Sequence, residues 1–256
     1  MLTNQIKDWD VRRQIIVAGS LEQTIEMAAD HWAHSAQRAI QQHGKFIVAL
    51  SGGSTPKAIY QKIISKYNDE IDWTKIYLFW SDERAVSPDD AESNYKMAMD
   101  SGFKDLPIPR HQIFRMHGEG NIQQHAEEYE KKIDELFKAK LTHHFFDLVM
   151  LGVGEDGHTA SLFPNTDAIH EKSKLVVANH LPEKNTWRMT LTFPCINQSD
   201  RAVIYAVGKN KESIVPLVLQ APITSSFPAS AIGTDIHPAL WILDSDAARL
   251  LSKTPD

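Results

Sequence analysis

The sequence predicts an α/β fold, a mainly parallel sheet with helices on both faces. Two patterns carry that expectation. Runs such as Phe46–Leu50, Ile76–Trp80 and Phe146–Leu151 are almost entirely apolar, as strands covered on both faces must be. Between them lie segments whose apolar residues recur at helical spacing, and that alternation builds parallel sheets through crossover helices.

Each element has its own signature. Leu21, Ile25, Ala29, Trp32, Ala36 and Ile40 form one apolar helical face over 21–42. Ser20 with Gln23 makes a capping box before it, and Gly44 supplies a stop. After the Phe46–Leu50 strand, Pro56 suits the first turn of a second helix. Ile122, Ala126, Tyr129, Ile133 and Leu136 mark a long amphipathic helix. Later strands are expected at Leu175–Ala178, Met189–Phe193, Ala202–Val207 and Leu240–Leu243. With 256 residues and no linker, repeat or low-complexity segment, 1–256 reads as a single α/β domain.

Composition excludes several classes. The net charge of −6 opposes general nucleic-acid binding, although a few placed cations can still govern a small anion site. A single cysteine, Cys195, makes neither an internal disulfide nor a cysteine-based zinc site and fits a reducing cytoplasm. The first ten residues carry charges where a signal peptide is apolar, and no run approaches the ~18 apolar residues that span a bilayer. A cytoplasmic protein with no membrane partner is expected. His31 with His34, and His143 with His144, lack an evident third metal ligand.

In parallel α/β sheets ligands bind beyond the carboxyl ends of the strands. Ser51-Gly52-Gly53-Ser54-Thr55-Pro56 stands at one such end, where glycines admit close approach and free N–H groups at a helix start attract anions. It lacks the Gly-Lys-Ser/Thr ending of a P-loop, and a plain turn is the alternative. Ser81-Asp82-Glu83-Arg84 leaves the next strand with charges that need partners or water; a salt-linked turn is the alternative there. Glu92-Ser93-Asn94 reads equally as a helix start with Asn94 solvated. Arg188 opens a later strand, and Lys209 and Lys211 follow another on the ligand side of the sheet.

The longest signal is 151–164, which holds Gly152, Gly154 and Gly157 in the spacing of a dinucleotide fingerprint. The acid expected about 20 residues later is missing, since Ala178-Asn179-His180 stands there, and no helix opens at the third glycine. A nicotinamide-dependent oxidoreductase is therefore a poor reading. His158 follows Asp156 by two residues instead, and a carboxylate beside an imidazole can fix its tautomer and make it a general base.

These segments together resemble the 6-phosphogluconolactonases, above all through Asp156-Gly157-His158-Thr159-Ala160-Ser161-Leu162-Phe163-Pro164, and the likeness extends over roughly residues 10 to 250. Arg188-Met189-Thr190-Leu191-Thr192, Gly208 to Lys211 and Pro228-Ala229-Ser230 follow in the family's order. The resemblance implies a Rossmann-like sheet shared with glucosamine-6-phosphate deaminases and ribose-5-phosphate isomerases. It implies hydrolysis of 6-phospho-D-glucono-1,5-lactone to 6-phosphogluconate, the second step of the pentose phosphate pathway, without metal or organic cofactor. By the same resemblance His158 is the base with Asp156 beside it. Ser51, Gly52, Gly53, Ser54, Thr55, Asp82, Arg84, Asn94, Gly154, Gly157, Arg188 and Lys211 form the substrate and phosphate pocket. A glucosamine-6-phosphate deaminase is the nearest rival, but Phe163 stands where that family completes its relay with a glutamate, and Arg84 where it commonly has a tyrosine. A non-catalytic sugar-phosphate sensor would keep the phosphate site without needing His158. With no G-x-S-x-G elbow, and no activating role recognised for Ser161, direct attack by water is expected over an acyl-enzyme.

Overall fold

The computed structural model describes residues 6–139 and 145–252; His143 and His144 lie outside them. A seven-stranded sheet forms the centre. It uses β1 (Lys7–Asp10), β2 (Arg13–Val17), β3 (Phe46–Leu50), β4 (Ile76–Trp80), β6 (Leu148–Gly152), β9 (Ala202–Ala206) and β10 (Ala239–Leu243), in the order β1-β2-β10-β9-β6-β3-β4. Every pairing is parallel except β1 with β2. The expected mainly parallel sheet is the one observed.

Helices cover both faces. In α1 (Leu21–His43) Trp32 meets Phe46 edge-on at 5.1 Å. In α4 (Ile122–Ala139) Tyr129 meets Phe79 at 5.7 Å. Phe46 pairs with Ile76 and Phe79 with Ala49, so the two rings belong to opposite faces of the pleat. The ends of α1 are set locally. Ser20 and Gln23 form the reciprocal capping box, and Gly44 takes the left-handed conformation (φ 82°) that stops the helix. Beside α1 lies α2 (Ser54–Tyr67), with Pro56 in its first turn.

Three expectations need correction. The segments at 175–178 and 189–193 leave the parallel sheet and form a second, antiparallel one, β5-β8-β7, from β5 (Asp82–Arg84), β7 (Val176–Leu181) and β8 (Thr186–Leu191). The reason is the connection. β7 and β8 are joined by the short turn Pro182–Lys184 with Asn185 at φ 45°, and a hairpin turn can only join antiparallel strands. Phe193 begins α5 (Phe193–Asn197) instead of ending a strand, because the Thr192 hydroxyl accepts the Cys195 N–H at 3.4 Å and Pro194 follows in the first turn. Ser93 likewise caps α3 (Asn94–Asp100), and Asn94 is buried, not solvated. The last helix, α6 (Ile214–Gln220), follows the Lys209–Lys211 turn. Among the described residues no helix is long and apolar enough to cross a membrane.

Candidate active site

The chain direction across the sheet reverses between β3 and β6, since β4 lies to one side and β9 and β10 to the other. A crevice opens at such a switch point, beyond the carboxyl ends of the strands. A cavity of about 320 Å³ occupies it, floored by Ser51 and Gly52 after β3 and by Gly152, Val153 and Gly154 after β6. The β5-β8-β7 sheet adds Asp82, Arg84 and Arg188, and Lys211 reaches in from the turn after β9.

The glycine loop is held from below. Tyr60 of α2 donates its hydroxyl to the Ser51 carbonyl at 2.7 Å and accepts the Ser51 N–H at 2.9 Å. Gly52 is glycine because Asn94 lies against it, and a Cβ there would stand 1.8 Å from Asn94 Oδ1. Asn94 in turn donates to the Asp82 carbonyl at 2.9 Å and to Asp82 Oδ1 at 3.2 Å. The other oxygen of Asp82 accepts the Ser161 hydroxyl at 2.6 Å. Ser161 is buried and its proton is committed to Asp82, which supports the expectation that it is not a nucleophile.

Glu83 points the other way. Its carboxylate accepts the N–H groups of Arg84, Asn94 and Tyr95, each at 2.8 Å, and the Ser93 hydroxyl at 3.1 Å. Burial raises its pKa despite those three N–H groups. The acid thus anchors the first turn of α3, where the helix dipole also favours a negative charge. Of the adjacent acids, Asp82 faces the cavity and Glu83 holds Asn94 beside it.

After β6 the chain makes a tight loop in which Gly157 N–H reaches Gly154 O at 3.0 Å and Gly154 N–H reaches His158 O at 2.8 Å. The loop brings His158 Nδ1 to 2.5 Å from Asp156 Oδ1, and the same oxygen accepts the His158 N–H at 3.1 Å. Burial acts to raise the Asp156 pKa, but these two hydrogen bonds outweigh it and hold the carboxyl at about 2. Phe163 stacks on the imidazole with ring centroids 4.1 Å apart. A Cβ on Gly154 would lie 2.0 Å from His158 Nδ1. The glycines after β6 therefore serve the histidine–carboxylate pair. No helix begins at Gly157, so the helix N-terminus that a pyrophosphate would need is missing from this turn.

Four cations line the cavity: Arg84, Lys184, Arg188 and Lys211. Arg84 and Arg188 are directly opposed in the β5–β8 ladder. Burial and then Arg84 lower the pKa of Arg188. Facing like charges are unfavourable unless an anion lies between them. Arg84 is steadied by the Glu92 carbonyl at 2.6 Å, and Arg188 by the Trp187 carbonyl at 2.9 Å.

Of the residues expected from sequence, Ser51, Gly52, Asp82, Arg84, Asn94, Gly154, His158, Arg188 and Lys211 meet around this one cavity. Gly53, Ser54 and Thr55 do not line it; they form the cap and first turn of α2 next to it, with Gly53 and Ser54 exposed. Asp156 lies behind the imidazole, bordering an adjoining hollow, and Gly157 packs against Phe227. Sequence reasoning missed Lys184, whose Nζ stands 5.2 Å from the Phe163 ring centre. It sits in the β7–β8 turn, and nothing in the sequence separates it from other surface lysines.

Comparison with known proteins identifies the family. The family model described as glucosamine-6-phosphate isomerases/6-phosphogluconolactonase matches residues 19–241. A 6-phosphogluconolactonase of Chlamydia trachomatis is 42% identical over 240 residues, covering 92% of this chain and 90% of the relative. One from Chlamydia pneumoniae is 44% identical, covering 87% and 84%. The solved 6-phosphogluconolactonase from Trypanosoma cruzi superposes with a TM-score of 0.82 at 27% identity, covering 95% of this chain and 98% of that one. The chain belongs to the glucosamine-6-phosphate isomerase/6-phosphogluconolactonase family.

Proposed function

We propose that the protein hydrolyses 6-phospho-D-glucono-1,5-lactone to 6-phosphogluconate, with His158 as the general base. The observation that carries this reading is the 2.5 Å contact of His158 Nδ1 with Asp156, made at the wall of a cation-lined cavity. An ionised carboxylate only accepts hydrogen bonds, so Nδ1 carries the hydrogen and Nε2 is left as the base.

The reaction follows from those parts. Arg188, Lys211 and the Ser51–Gly52 turn bind the phosphate and orient the ring, which converts a bimolecular attack into a positioned one. Nε2 of His158 takes a proton from water as its oxygen bonds to the lactone carbonyl carbon. The charge on the carbonyl oxygen develops among the cations and the N–H groups of the glycine turns. The ring C–O bond then breaks, and the imidazolium returns the proton to the departing ring oxygen. Asp156 remains ionised throughout and stabilises the imidazolium.

Phe163 decides against the deaminase reading, because the group stacked on His158 is an apolar ring that offers no carboxylate for a relay. The deciding experiment supplies purified protein with 6-phosphogluconolactone and, separately, with glucosamine-6-phosphate. Lactone hydrolysis above the spontaneous rate, without ammonia release, is expected. Ammonia release without lactone hydrolysis reverses the assignment.

A further inference from the structure

A second hollow, of about 810 Å³, lies between the segment that follows α3 and the flank of α4, and it shares no lining residue with the cavity above. Part of its lining is apolar, with Met99, Leu106, Ile113 and the partly exposed ring of Phe114. Phe114 cannot turn freely, because it stacks on Phe79 at 4.5 Å with the planes 10° apart. Six basic side chains share the lining: Lys104, Arg110, His111, Arg115, His117 and Lys132.

Their partners differ. Lys104 is paired with Asp100 at 3.1 Å and Arg115 with Glu119 at 2.6 Å. Arg110 and Lys132 have no side-chain ion pair or hydrogen bond among the described residues; Lys132 also borders an adjoining hollow that Glu135 lines. Burial first and then Arg115 lower the pKa of His117, against the opposing effect of Glu119, whose carboxylate lies 3.5 Å from its ring nitrogen. Arg110 and Lys132 thus bring two cations without an acidic partner into one hollow, on a chain of net charge −6.

We propose that this hollow binds a nucleoside polyphosphate, its phosphates on Arg110 and Lys132 and its base on Phe114. Phosphates alone would leave the Phe114 ring and its apolar neighbours uncovered, and an apolar ligand alone would leave two cations unmatched. A ligand with a planar ring at one end and several negative charges at the other satisfies both.

Calorimetric titration of the full chain with ATP, sodium tripolyphosphate and adenosine tests this. ATP is expected to bind, and to bind more tightly than either fragment. The double variant Arg110→Ala/Lys132→Ala, checked by circular dichroism for folding, should weaken ATP by at least about tenfold with unchanged lactone kinetics. Lys211→Ala should leave ATP binding as in the wild type. The proposal is overturned by absence of ATP binding, by equal affinity for tripolyphosphate, by an unaffected double variant, or by loss of binding on Lys211→Ala alone.

Discussion

Arg84 and Arg188 stand opposite each other in the β5–β8 ladder, two guanidinium groups at one cross-strand position on the wall of the cavity. Such a pair costs the empty protein some stability, by up to about 1 kcal/mol. A bound dianion turns that cost into attraction. Inorganic phosphate should therefore raise the melting temperature of the wild type, and Arg188→Ala should lose most of that shift. Without phosphate the variant should be as stable as the parent or slightly more so. A variant that is clearly less stable yet keeps the shift would show that Arg188 is a packing residue.

Lys211 should act on binding more than on chemistry. Lys211→Ala removes a charge-assisted contact, so kcat/KM for the phosphorylated lactone should fall by about 1.5–3 kcal/mol equivalent, mostly through KM. Glucono-1,5-lactone without phosphate should be a poor substrate and should hardly notice the change. Equal damage to both lactones would move Lys211 from the phosphate to the ring.

His158→Asn keeps a polar side chain but removes the base. The expected loss is about 10²–10⁴-fold in kcat, with KM altered much less. A folded variant keeping more than about a tenth of the wild-type kcat would end the general-base role.

Gly154→Ala should be nearly as harmful as losing the base. The added methyl would meet both His158 Nδ1 and Asp156 Oδ1, at 2.0 and 2.5 Å, and must push the pair apart. A fall in kcat of about 10²-fold is expected in a protein whose circular dichroism is normal. Near-normal turnover would mean that the pair can regroup without cost.

Glu83 should matter for folding. Glu83→Ala leaves three backbone N–H groups and the Ser93 hydroxyl without their acceptor, a loss of roughly 2–4 kcal/mol in denaturant unfolding. The pH dependence has a definite sign. Burial raises its folded-state pKa, so the neutral acid is the better-tolerated form. That stability is fully present below the ordinary glutamate range and is lost as pH rises through the raised value. Wild-type stability measured against Glu83→Gln should therefore fall across that window; a difference that grows with pH contradicts this.

Much of the architecture was legible because single strands and helices obey local rules. Phe46–Leu50 and Ile76–Trp80 are the strands observed, residue for residue, and Ser20 and Gly44 bound α1 as their chemistry requires. What escaped was tertiary. Nothing in Val176–Leu181 or Thr186–Leu191 says which sheet they join; the Pro182–Lys184 turn decides it. The site was legible where one loop carried both partners, as with Asp156 and His158. It was not legible where distant segments meet, as with Ser161 on Asp82 or Asn94 over Gly52.

The strand order also sets a timetable for synthesis. The inner neighbour of β2 is β10, and the first rung joins Arg13 to Ala239. At about 5–20 residues per second, the ribosome needs on the order of 10–50 s to travel from one strand to the other. Throughout that interval β2 has only β1 beside it, and a lone two-stranded hairpin is marginal in water. Ile15 and Ile16, fully covered in the finished protein, are open to wrong partners until β10 has been made. Chaperone dependence during translation should therefore concentrate on the earliest strands, long after they have left the ribosome.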